Sequence, residues 1–195
     1  MAASGFYNPF MVNSADSARW RTLGAEYLYE SPWCAFRVDE VRLPDGAEIW
    51  YGVLESAGFA AVVPTTERGG VVLVGQWRQP VGGYTLELPG GGVDRGKDPR
   101  EAARRELLEE TGYRTEDLSH LVSVYTSPGR STEVCHLFRC RAVRALPGPQ
   151  PEPTEFVSAV ELPLAEAVGK VFSGEITAAT TVLGLMMISG AGFRG

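Results

Sequence analysis

The segment from Gly91 to Tyr113, GGVDRGKDPREAARRELLEETGY, constrains this chain more than any other. It specifies a helix with both ends marked. Asp98 is a fitting N-cap, Pro99 suits the first helical position because its missing N–H would go unpaired there, and Glu101 completes a capping box. Ala102, Ala103, Leu107 and Leu108 supply an apolar stripe, and Gly112 can end the helix in a left-handed conformation. At helical spacing Glu106 and Glu110 stand one turn apart, with Glu109 beside them. Three like charges held together raise one another's pKa, and a hard cation relieves that repulsion through oxygen ligands. A solvated acidic helix face is the plain alternative. The preceding Leu88-Pro89-Gly90-Gly91-Gly92 can bring main chain close to a phosphate and aim the Gly90 carbonyl at a metal.

These residues resemble the box of the Nudix hydrolase family: glycine, five residues, glutamate, seven residues, then Arg-Glu-aliphatic-any-Glu-Glu-any-Gly-aliphatic. Gly91, Arg105, Glu106, Leu107, Glu109, Glu110 and Gly112 match, and Tyr113 takes the final place. The first glutamate of the box is Lys97 here. In the family that glutamate helps orient the arginine, so Asp94, Asp98 or Glu109 would have to hold Arg105 instead. The resemblance runs from roughly residue 35 to 187. Val74 to Pro80 and Thr85 to Gly90 look like the strand, turn and strand before the box in ADP-ribose pyrophosphatases, and Pro128 falls where that subfamily carries a proline.

The resemblance implies an α/β fold: a Nudix-type α/β/α sandwich with a mixed sheet and an N-terminal β extension. It divides the chain into a partly ordered extension over 1–34 and a hydrolase domain over 35–195. The implied activity is Mg²⁺-dependent hydrolysis of a nucleoside diphosphate derivative, with Mn²⁺ a possible substitute and ADP-ribose, cut to AMP and ribose 5-phosphate, the leading substrate. Nucleotide sugars of the GDP-mannose type, dinucleoside polyphosphates, and nucleotide sensing without cleavage are the alternatives. Glu106, Glu109 and Glu110, with the Gly90 carbonyl, are the implied metal ligands, and Arg105 and Glu109 belong to the catalytic set. Glu152 best matches the family's catalytic glutamate, with Glu155 as the fallback. Members that cleave ADP-ribose commonly pair as homodimers through their N-terminal strands and stack an aromatic residue on the adenine. Trp33, beside Pro32, is the first candidate, ahead of Tyr29 and Phe36.

Physical reading of the flanks agrees. A diphosphate adds about two negative charges to a carboxylate-rich site, so an arginine should stand near it; the resemblance makes Arg78 the first candidate, because the matching arginine in the family contacts the substrate's phosphate. Glu87 could bind metal indirectly, hold a substrate group or form a structural ion pair at the strand end. Arg130 and Glu133 lie on a loop that could reach the ribose, although the turn alone explains Pro128 and Gly129. Pro151-Glu152-Pro153-Thr154-Glu155 is stiffened by its prolines, and could be a linker with no catalytic task. The net charge of −6 argues against a nucleic-acid surface. Cys34, Cys135 and Cys140 lack metal-ligand spacing and, with no leader segment evident, read as reduced thiols of a cytoplasmic protein. His120 and His136 have no partner pattern. The apolar run from Val182 to Ile188 is too short to cross a bilayer and should cap the core.

Strand signals over 35–42 and 48–55 flank the Pro44-Asp45-Gly46 turn as a hairpin. A second pair, 59–64 and 71–77, precedes the box helix at 99–111. Strands recur at 121–126, 134–142 and 156–161, with helices over 163–173 and 176–188. The first 20 or so residues carry Gly, Asn, Pro and Ser and should be loosely ordered.

Overall fold

A computed structural model of the chain describes residues 18–94, 96–151, 153 and 155–190. Two compact units emerge, one up to Glu55 and one from Ser56. In the first, strands β1 (Arg21–Glu30), β2 (Cys34–Arg42) and β3 (Glu48–Ser56) form an antiparallel-paired sheet in the order β1-β2-β3. The sequence reading divides the chain at 34/35; in the structure β2 pairs with β1, and β3 with β2, in this separate sheet. All ten residues of β1 are exposed. The hairpin turn is as expected, with Gly46 at φ 89°, a value few residues other than glycine adopt.

The second unit is built on a seven-stranded sheet. Its strands are β4 (Phe59–Thr65), β5 (Gly70–Arg78), β6 (Gly83–Glu87), β7 (Gly90–Gly92), β9 (Leu118–Tyr125), β10 (Val134–Arg141) and β12 (Val157–Pro163). The main path runs β12-β5-β4-β10-β9, and the β4–β10 pairing is parallel while the rest are antiparallel, so the sheet is mixed. Strands β4 and β5 pair at Thr65 and Val71; beyond that point β6 pairs with β5 and β7 with β4. A small ladder joins β8 (Tyr113–Arg114) to β11 (Val143–Arg144). Helices α1 (Pro99–Thr111), α2 (Leu164–Phe172) and α3 (Ala179–Ile188) complete the unit.

Strand β4 shows why the sheet lies in the middle. Ala60 and Val62 pack with Ala103 and Leu107 of α1, while Ala61 and Val63 pack with Ala167 of α2 and Leu185 of α3. Alternate residues thus enter two cores, and a strand covered on both faces reads as an unbroken apolar run. Each fully buried leucine, such as Leu73, Leu107 and Leu185, contributes about 2–3 kcal/mol of burial. The result is the α/β/α layering expected from the sequence. Helix α3 begins at Ala179 rather than 176, and the Val182 to Ile188 run lies inside it with Leu185 buried. Cys135 and Cys140 sit buried in β10, and all three cysteines are free thiols. No helix among the described residues is long and apolar enough to cross a membrane.

Candidate active site

Helix α1 is capped as its sequence demands. The Asp98 side chain accepts a hydrogen bond from the Arg100 N–H at 2.9 Å, Pro99 follows it, and Gly112 ends the helix at φ 73°. Arg100 fastens the first turn by donating to the Leu118 carbonyl at 2.7 Å, with its guanidinium 5.4 Å from the centre of the Phe138 ring. The helix is thereby fixed in rotation, and Ala103 and Leu107 turn the Glu106–Glu110 side toward the glycine strand β7.

That strand is fastened from both sides. The Thr181 hydroxyl of α3 accepts from the Leu88 N–H at 2.9 Å, and Val62 N–H donates to the Pro89 carbonyl at 3.0 Å. Gly90 pairs with Ala61 and Gly91 with Ala60. Gly90 N–H then points at α1 and donates to Glu110 Oε2 at 2.8 Å. A β-carbon on Gly90 would overlap the Ala60 carbonyl, so that position requires glycine for space, and one on Gly91 would displace the Glu106 carboxylate from where it lies.

Glu106 and Glu110 are 5% and 3% exposed, rare values for carboxylates. Burial pushes the Glu110 carboxyl up to about 8, with the Glu106 and Glu155 charges adding and the Gly90 N–H and Arg78 opposing. Burial likewise raises Glu106, outweighing the adjacent Arg105, while Glu155 and Glu109 push it further. Arg105 spans two carboxylates, 2.7 Å from Glu106 and 2.8 Å from Glu109. The more exposed Arg105–Glu109 pair, at i,i+4, adds only about 0.3–0.5 kcal/mol, so its consequence is orientation rather than stability. Of the three substitutes considered for the missing box glutamate, Glu109 holds Arg105. Asp98 is occupied as the cap, and the exposed Lys97 is not among the partners of Arg105.

Across from the helix, Arg78 forms a two-pronged pair with Glu87, at 2.9 and 2.7 Å. Burial would raise Glu87, but hydrogen bonds from Arg78 and Thr85 outweigh it and hold the carboxyl below its ordinary range. Glu87 is therefore committed to Arg78 and Thr85, which corresponds to the structural ion pair left open in the sequence. Arg78 also senses the charges of Glu110 and Glu155. The exposed Glu155 thus acts on Glu106, Glu110 and Arg78 together, from a loop distant in sequence. Glu152 lies outside the described residues.

The remaining candidates are placed as follows. The loop carrying Arg130 and Glu133 lies beside the start of β4, where the Thr132 hydroxyl accepts from the Ser56 N–H at 3.1 Å. This is the sheet end that also holds β7. Glu133 accepts from the Thr126 hydroxyl at 2.7 Å, and Arg130 is exposed. Trp33 sits between β1 and β2 and is 82% exposed. His120 and His136, which showed no partner pattern in sequence, share the Ser123 hydroxyl at 2.9 Å each. A one-residue register shift in the β9–β10 ladder puts them on one face, a feature no spacing rule reveals.

The donor set suits a hard dication. Glu106, Glu109 and Glu110 offer only oxygen, and Glu110 is a buried carboxylate whose hydrogen bond comes from a neutral amide, a costly state that a nearby cation would relieve. Glu106 and Glu109 are drawn to Arg105 and Glu110 to Gly90, and among the described residues no three acidic, histidine or cysteine side chains form a closed ligand set.

The NUDIX domain model matches residues 56–181, and the nucleoside diphosphate sugar hydrolase N-terminal domain model matches residues 20–54. The chain is 32% identical over 169 residues to a methanol dehydrogenase activator of Bacillus methanolicus, covering 86% of this chain and 91% of that one. It is 30% identical, with the same coverage, to an ADP-ribose pyrophosphatase of Bacillus subtilis. A GDP-mannose pyrophosphatase of Cronobacter sakazakii is 36% identical over 65% of this chain and 70% of its own. The α1 helix seated on its glycine strand is thus part of a likeness that extends over most of the polypeptide, and the chain belongs to the Nudix family.

Proposed function

We propose that this protein hydrolyses the diphosphate linkage of a nucleoside diphosphate derivative, with ADP-ribose, giving AMP and ribose 5-phosphate, as the first substrate to test. The observation that carries this reading is the seating of two buried carboxylates, Glu106 and Glu110, against the glycine strand, with the Gly90 N–H donating to Glu110 at 2.8 Å. Arg78, held flat by Glu87, presents its remaining N–H donors to a diphosphate oxygen. Glu106, Glu109 and Glu110, with the Gly90 carbonyl, would hold Mg²⁺ or Mn²⁺, and Arg105 keeps Glu106 and Glu109 in place. Such an ion would supply positive charge to neutralise the diphosphate and to make the attacking water more acidic. Glu152 or Glu155 accepts the proton of the attacking water as its oxygen bonds to phosphorus and the other phosphate departs; Glu155 is favoured by its coupling to Glu106, Glu110 and Arg78.

A nucleotide sugar is the second reading, supported by the relative named for GDP-mannose. Trp33 serves as the base-stacking residue in the first reading, on the strength of its 82% exposure. Arg130 and Glu133 would contact the ribose, a reading supported by their loop bordering the β7 end of the sheet. The exposed β1, with Tyr27, Leu28 and Tyr29 each about half exposed, supports a homodimer through the N-terminal sheet, and the three free thiols support a cytoplasmic location. Incubation with Mg²⁺ and separately ADP-ribose, GDP-mannose and a dinucleoside polyphosphate, followed by product identification, tests the proposal. AMP with ribose 5-phosphate from ADP-ribose supports it; no cleavage of any of the three refutes it.

A further inference from the structure

The residues between β11 and β12 are bound to the end of α1 by main chain. Ala145 and Leu146 N–H groups both donate to the Gly112 carbonyl at 2.9 Å, and Gln150 N–H donates to the Glu109 carbonyl at 2.7 Å. Helix C-termini leave carbonyls unpaired, and here the loop supplies the donors. Gly112 also admits the loop physically, since a β-carbon there would lie 2.7 Å from the Gly148 carbonyl oxygen. Docking alone fixes the first half of the segment. Glu155 lies five residues beyond Gln150, so its placement needs the other stem.

That stem is tied by one side chain. Tyr113, 4% exposed and next to Gly112, donates its hydroxyl proton to Glu161 Oε2 at 2.9 Å on β12, the strand that leaves the loop. The same hydroxyl oxygen accepts from Arg144 Nη2 at 3.0 Å on β11, the strand that enters it. Arg144 lies over the Tyr113 ring at 4.4 Å, and its main chain pairs with Tyr113. The other oxygen of Glu161 accepts from the Thr66 hydroxyl at 2.7 Å, anchoring that strand to the β4–β5 turn. A donor and an acceptor function are both used on one phenol, which neither phenylalanine nor an aliphatic residue supplies.

We propose that Tyr113 is a positioning residue for hydrolysis: its hydroxyl clamps both stems of the acidic loop to the end of the carboxylate helix, setting where Glu155 stands. This rests on the reading that the loop supplies the proton acceptor. The clamp acts on the loop and leaves Glu106, Glu110 and Arg78 in place, so its loss lowers turnover while sparing binding.

The test compares Tyr113→Phe, which keeps the buried ring, and Arg144→Gln, at an exposed position, with the wild-type chain in Mg²⁺-dependent ADP-ribose hydrolysis. Affinity for Mn²⁺ alone is measured by calorimetry. Displacing a reacting group by about 1 Å costs on the order of 100-fold, so kcat should fall about 10-fold or more in Tyr113→Phe and less in Arg144→Gln, with KM and Mn²⁺ affinity within about twofold. A kcat within about twofold of wild type in both variants overturns the clamp. So does a loss of Mn²⁺ affinity or rise of KM in step with kcat, which would mean general damage to the helix end. Glu152→Gln and Glu155→Gln separate the two levels. If neither lowers kcat, the loop has no catalytic task and the clamp falls with it; if either does while Tyr113→Phe does not, the clamp alone is wrong.

Discussion

Replacing Glu110 by glutamine should make the metal-depleted protein more stable in alkaline buffer while removing its activity. The Glu110 carboxyl is 3% exposed, and burial raises it from an ordinary 4.5 to about 8. A carboxyl whose pKa is higher in the folded chain supports the fold fully only below its unfolded value, and that support disappears as pH climbs toward the folded value. At pH 7 the 2.5 units above 4.5 correspond to about 3 kcal/mol against the folded state, compared with about 1 kcal/mol at pH 5. Glutamine does not titrate and keeps an oxygen for the Gly90 N–H, but its amide nitrogen costs about 1–3 kcal/mol if left unpaired. That cost is the same at both pH values and cancels from the difference. The variant should therefore gain about 2 kcal/mol relative to wild type between pH 5 and pH 7, or roughly 4–8 °C in Tm for a chain of this size. Thermal melts by circular dichroism in excess EDTA measure it. An equal Tm difference at the two pH values refutes the buried-charge account. Millimolar Mg²⁺ or Mn²⁺ should raise the Tm of wild type and not of the variant, whose turnover of ADP-ribose should drop at least about 100-fold.

Gly112→Ala forces a left-handed residue at φ 73° and presses a methyl within 2.7 Å of the Gly148 carbonyl, so it should cost about 1–3 kcal/mol or more in urea titration; an unchanged midpoint would contradict the docked loop. Arg78→Lys retains charge but loses the fork onto Glu87, and steady-state kinetics should show KM for ADP-ribose rising about 10-fold with a smaller change in kcat. Lys97→Glu restores the family residue, yet Arg105 is already held by Glu106 and Glu109. Activity should change by less than about threefold, since an added exposed ion pair contributes under about 1 kcal/mol; a much larger gain would show that Arg105 lacks adequate support in this chain.

The sequence made the box helix legible because each of its signals is local. Cap, first-turn proline, apolar stripe and terminal glycine lie within fifteen residues, and the structure uses Asp98, Pro99, Leu107 and Gly112 in those roles. Strands β4 and β5 were legible for a similar reason, as short apolar runs divided by a glycine-bearing turn. Strand β1 was not. Its register shifts between Thr22 and Gly24 and again between Tyr27 and Tyr29, and its side chains are exposed, so neither an alternating pattern nor a core signature survives in the letters.

The site divides along the same line. Glu106 and Glu110 declare themselves by spacing, but their burial depends on Gly90 and Gly91 lying against them, which requires β7 to pair with β4 across some thirty positions of sequence. Glu155 is a stronger case: nothing within the proline-rich stretch says that it will act on Arg78 and Glu110. Its loop is held by Gly112 and Glu109 offering carbonyls to it and by Tyr113 joining Arg144 to Glu161. Those partners come from three separate stretches of chain, and each is an ordinary residue in its own context. The family box thus encodes more than its carboxylates: its closing Gly112-Tyr113 pair is also the seat on which the acidic loop is set. A substitution there should be felt as a loss of turnover before it is felt as a loss of metal.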